Sequence, residues 1–226
     1  MQTPTDQQSL DLVREAALSG VHQAQVMFGQ ILLDGKLLER NPTWALHWFE
    51  RAAKSGNIMA MNMVGRCLDQ GWGAPQSPTM AYPWFRRAAE AGLDWGMYNL
   101  ATALILGRGV KEDKTAGYIW LQKAAELNHA KSITLLAGFY EDGWVVEQNT
   151  RKAIELYKKS AELGDFRGQF NYARCLALAG EYDAAVEWLR LVPQTSTPAF
   201  LAKAREFFLS APGESMRSLA QVLTAQ

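Results

Sequence analysis

The chain has 226 residues, 48% of them hydrophobic and 20% charged, a balance that suits a folded protein and argues against disorder. Its 23 basic residues are matched by 23 acidic ones, so the basic excess that nucleic-acid binders use to neutralise phosphates is absent. The two cysteines are too few for a disulfide framework or a cysteine-built zinc site.

Residues 1–8, MQTPTDQQ, are polar and are expected to be disordered. They show no basic stretch followed by an apolar run, so no secretory signal is read there. No segment approaches the roughly 18–20 apolar residues of a membrane span, and the expected location is the cytoplasm, with no membrane partner. Residues 9–20 predict a lone capping helix that ends at Ala16, Ala17 and the stop residue Gly20. From there the chain is periodic. The stop residues Gly20, Gly56, Gly92, Asn128 and Gly164 fall 36 apart, and each follows a small-residue pair such as Ala52-Ala53 or Ser160-Ala161. Glycine and asparagine tolerate the left-handed backbone that ends a helix, which accounts for Asn128 as the one substitution.

Other series share the period. Gly29, Gly65, Ala101, Ala137 and Ala173 are small residues where two helices must approach closely, and a bulky side chain at Ala101 is expected to overpack. Gly35, Gly71, Gly107 and Gly143 end a first helix. Asn41, Ser77, Asp113 and Asn149 are N-cap types, with Pro42 and Pro78 at the following position, where proline is tolerated. Phe49, Phe85, Leu121 and Tyr157 are large core candidates. Each unit therefore reads as two helices. The first, A, runs over Ala24–Asp34, Met59–Gln70, Trp95–Leu106 and Lys131–Asp142; the second, B, runs from the cap to the small pair. Pro83 falls inside one B helix and predicts a kink or an irregular first turn there.

Residues 21–164 thus hold four units of 36 residues. A fifth, over 165–192, is shorter: Ala173 to Ala185 is 12 residues, where Ala137 to Ala153 is 16. Residues 193–226 predict a Pro193–Pro198 linker and closing helices over Pro198–Leu209 and Glu214–Thr224 that cap the apolar end of the stack.

The run Gly107-Arg108-Gly109-Val110, then a cap, then Ala116, Tyr118, Trp120, Lys123, Ala124 and Ala125, resembles the Sel1-like repeat family, a relative of the tetratricopeptide repeat. The resemblance covers about residues 20–164, and the fifth unit is similar to a plain tetratricopeptide unit. It implies an all-α fold: a right-handed α-solenoid of antiparallel helix pairs with helical caps. It also implies that the A helices line a concave face. Some secreted, cysteine-rich members of the family have been linked to β-lactam binding or hydrolysis, which is the alternative of an enzyme; the paired cysteines of those members are missing here. A regulatory adaptor in a signalling complex is a further alternative.

Nothing in the sequence converges on catalysis or a cofactor. His22, His47 and His129 occupy unrelated positions of the unit, without the spacing of metal ligands. Cys67 and Cys175 hold equivalent A-helix positions three units apart and read as buried small residues. Gly107-Arg108-Gly109 lacks the strand and the Gly-Lys-Ser/Thr ending of a phosphate loop. The expected function is non-catalytic capture of a peptide or partner protein, one with an acidic or carboxylate group, on the A-helix face. The residues expected to carry it are Asn62, Arg66, Trp95, Tyr98, Lys131, Arg167, Phe170 and Arg174, aromatic at the centre and basic on both sides. Trp95→Ala or Arg174→Glu is expected to weaken capture without changing the melting curve.

Overall fold

The computed structural model describes residues 6–224, all helix, turn and loop, with no strand among them. The chain divides into two compact units, residues 1–120 and 121–226.

In the first unit, α1 (Asp6–Leu18) precedes three A/B pairs: α2 (His22–Asp34) with α3 (Pro42–Lys54), α4 (Ile58–Gln70) with α5 (Pro78–Glu90), and α6 (Asp94–Leu106) with α7 (Lys114–Glu126), whose last turns belong to the second unit. The second unit continues with α8 (Ala130–Asp142), α9 (Thr150–Glu162), α10 (Phe166–Leu178) and α11 (Tyr182–Leu189). The disorder expected of residues 1–8 lies partly outside the described residues; from Asp6 onward that stretch is already the first turn of α1. The linker expected at 193–198 carries a short helix, α12 (Val192–Thr195). The first closing helix is α13 (Pro198–Leu209), while the second is cut down to α14 (Glu214–Ser218) and a 3-10 turn, Leu219–Gln221.

The caps act as the spacing demands. The side-chain oxygens of Asn41, Asp113 and Asn149 accept from the amides of Trp44 (3.1 Å), Ala116 (2.8 Å) and Lys152 (2.9 Å), three residues on. The cap amides close the A–B loop. Asn41, Ser77, Asp113 and Asn149 donate to the carbonyls of Leu32, Leu68, Leu104 and Tyr140, nine residues back in each case. The stop residues all have positive φ, from 59° at Asn128 to 97° at Gly20. Helix α5 runs unbroken through Pro83. The carbonyl that loses its donor there is that of Thr79, an exposed residue.

The small and large series meet. A Cβ at Gly65 would lie 2.6 Å from the Phe85 ring, and one at Gly29 would lie 2.7 Å from Phe49. In the second unit Ala137 packs with Tyr157. Gly65→Val is therefore expected to destabilise by about 1–3 kcal/mol, seen as a lower urea midpoint at unchanged slope, and Phe85→Leu in the same chain should recover part of the loss.

The α8–α9 loop breaks the pattern. The second loop glycine of the two preceding repeats, Gly73 and Gly109, is Val145 here, at φ 66°. A β-branched residue crowds the following carbonyl in that conformation. Val145→Gly is expected to raise stability by about 0.5–1 kcal/mol, after the entropy of the added glycine is subtracted, and calorimetry would register it as a higher Tm.

Candidate functional site

Each A helix presents an exposed side, whose chemistry changes from repeat to repeat. At its first position stand Gln23, Met59, Trp95 and Arg167, all exposed, with Lys131 half-buried in the series. Two turns on, Gln30, Arg66, Thr102, Gly138 and Arg174 are half-buried. Thus, of the residues expected on the binding face, Trp95 and Arg167 are exposed and Arg66 and Lys131 half-buried.

The position between does not face outward. Val26, Asn62 and Thr134 are buried, at 8%, 2% and 7% exposure. Asn62 accepts a 2.8 Å hydrogen bond from the Asn99 amide of α6, so it joins two neighbouring A helices instead of greeting a partner. Thr134 donates to Asp165 at 2.7 Å, and its oxygen lies 2.7 Å from the Ser160 hydroxyl. Asp165 in turn caps α10 through the Gly168 amide. Tyr98, half-buried, meets Trp95 edge to face at 6.2 Å. Phe170, at the same position, packs against Phe200, Phe207 and Phe208 of α13, with centroids at 5.5–5.9 Å. Asn62 is thus a buried residue between helices, and half-buried Phe170 packs on α13.

Arg174 is not a free cation either. It donates two hydrogen bonds to Glu141, at 2.6 and 2.8 Å, and Glu141 also accepts from the Tyr157 hydroxyl at 2.7 Å. Burial by itself would push Glu141 up, but the bonds from Tyr157 and Arg174 outweigh it and hold the carboxyl below its usual value. Burial and the bond to Glu141 together push the Tyr157 phenol well above its ordinary range. Arg167 lies over Phe166 at 4.4 Å and near Phe200 at 5.9 Å. The guanidinium itself lies against the C-terminal aromatic cluster, while the residue as a whole stays exposed.

In the first unit the structure gathers Arg66 with residues of two A helices and of their loops. A cavity of about 190 Å³ is lined by Arg66, Asp69, Trp72, Asn99, Thr102 and Arg108, among others. The Arg66 guanidinium sits 5.3 Å from the Trp72 ring centroid, and Arg108 pairs with Asp69 at 2.9 Å. Trp72 and Arg108 come from A–B loops that fold back over the helix. The sequence marks those loops by their glycines but carries no direction for the residue between them. Among the described residues no group of histidines, cysteines and acids is placed to hold a metal ion. Cys67 is fully buried, and burial raises its thiol to about 11, so it is a packing residue. Among the described residues no helix is long and apolar enough to cross a membrane.

Comparison with known proteins places this architecture. Four stretches, residues 22–57, 58–93, 96–129 and 130–165, match the family described as Sel1 repeat. No curated protein is matched. Among solved structures, a Sel1 repeat protein from Oxalobacter formigenes is 20% identical and superposes with a TM-score of 0.74, over 94% of this chain and 96% of that one. The protective antigen c5321 of uropathogenic Escherichia coli is 24% identical, with a TM-score of 0.69 over 97% of this chain; the present chain spans 48% of its length. The immunity protein Pa5087 from Pseudomonas aeruginosa is 18% identical, with a TM-score of 0.58 over 89% of this chain and 82% of its own. At these identities the likeness is one of fold.

Proposed function

The chain belongs to the Sel1 repeat family, whose members are in general protein-interaction modules, and from that premise we propose that it is a non-catalytic adaptor holding a peptide or partner protein on the exposed face of its A helices. One observation carries the reading. The scaffold positions repeat almost unchanged, while the first exposed A-helix position varies from Gln23 to Met59, Trp95, Lys131 and Arg167. A surface that varies on a constant frame is what selective recognition needs, because aromatic and arginine side chains dominate binding energy where they are partly desolvated.

Trp95 is the first residue to test, at 37% exposure and steadied by Tyr98. Trp95→Ala is expected to weaken partner capture from the native cell at least tenfold while helicity and Tm hold, since little of the core rests on it. Arg167→Glu is the companion variant, because Arg167 is exposed where Arg174 is paired. Unchanged capture by both variants, with the same partners in the same yield, would reject the A-helix face as the binding surface.

A further inference from the structure

Resting on the interaction-module reading, we propose that the cavity between α4, α6 and their loops is a receptor for a single acidic side chain, glutamate or aspartate, carried on an extended segment of the partner. Two guanidinium groups, Arg66 and Arg108, face one carboxylate, Asp69, across this cavity. Both oxygens of Asp69 are already engaged, one by Arg108 at 2.9 Å and the other by the Gln70 amide at 2.6 Å. Arg66 is left over. Among the described residues it meets no carboxylate; its one hydrogen-bond acceptor is the Met63 thioether, at 3.5 Å. Its contact with Trp72 is electrostatic and uses none of its N–H donors. A half-buried guanidinium whose donors lack oxygen partners is a strong site for a carboxylate, which it can grip through two parallel hydrogen bonds.

Size selects the source of that carboxylate. About 190 Å³ is below the ~300–1,000 Å³ of pockets that enclose whole small molecules, and it suits one side chain entering from a chain that runs outside. Trp72 forms an apolar wall for the methylene stem of such a side chain.

The test is an NMR titration of the full chain, following the Arg66 side-chain Nε–H and the Trp72 indole N–H. Three probes are used: the pentapeptide Ac-Ala-Ala-Glu-Ala-Ala-NH2, its counterpart with glutamine in place of glutamate, and free succinate. Saturable shifts at both groups are expected with the glutamate peptide, at least tenfold tighter than with either other probe. Arg66→Gln should abolish them, Arg66→Lys should keep part, and salt should weaken them. Asp69→Asn should tighten binding several-fold, because it removes the internal competitor; a merely structural role for Asp69 would not produce that sign. Equal response to the glutamine peptide, indifference to Arg66→Gln, or tighter binding of succinate would each overturn the proposal. If the pentapeptide goes unbound while Trp95→Ala still abolishes partner capture, the pocket falls and the adaptor reading stands.

Discussion

Phe208→Ala is expected to cost the second unit about 3–5 kcal/mol, because it takes a whole ring out of a closed core. Phe208 is fully buried. It lies at the centre of a cluster in which α13 meets α10, with Phe170 at 5.8 Å and Phe207 at 5.2 Å between ring centroids. Leu189, Val192, Leu219 and Leu223 complete the same core. The gap left by the ring cannot close, because those neighbours belong to four separate elements. The loss should be local, since each repeat draws its stability from its neighbours. Hydrogen exchange is the measurement: protection should fall in α10, α11 and α13 and persist in α2 to α5. Uniform loss across the chain would show that the repeats melt as one block.

The second large effect is at Arg174. Arg174→Glu would set two carboxylates where one ion pair stands, at a site only 18% and 32% exposed on its two sides. Removing one partner of a buried pair costs about 3–5 kcal/mol; partial exposure reduces this to about 2–3 kcal/mol. For this residue the expectation from sequence of an unchanged melting curve gives way to an expected loss of stability. The charge swap Arg174→Glu with Glu141→Arg should restore most of the stability, while Trp95→Ala remains the clean test of binding. The pH dependence has a definite sign. Glu141 is held below its usual value in the folded state, so its contribution is present above about pH 4.5 and is lost as pH falls through its folded value. The gap in urea midpoint between the native chain and Arg174→Glu should close over that same acid range. A gap that stays constant from neutral pH down to acid would exclude the ion pair as the cause.

The frame is legible in the sequence because punctuation residues act locally. A stop glycine, or Asn128, needs only its own backbone to end a helix, and a cap such as Asn149 needs only the amide three residues on. The predicted A helices accordingly begin within two residues of the observed ones and end where predicted. The site is less legible, because an A helix in this fold has more than one buried side. Position 62 is polar and lies one turn from an exposed position, so it reads as surface; its burial depends on Asn99, 37 residues away. Arg174 and Phe170 read as surface for the same reason, their partners Glu141 and Phe200 lying in other helices. Trp72 and Arg108 escape a sequence reading for a different one. Loop glycines announce a turn, but not where the side chain between them points.

The aromatic end cluster bears on how the stack is stopped. Phe170 stands at the position where Asn62 meets the next A helix, and it meets α13 there, so α13 occupies the place that a sixth A helix would take. Head-to-tail stacking of identical units has no intrinsic end, and an uncovered repeat is a growth face on which a second molecule could continue the array into an open filament. By packing rings from the same chain on Phe170, α13 and the turns after it cover part of a face on which such growth could start.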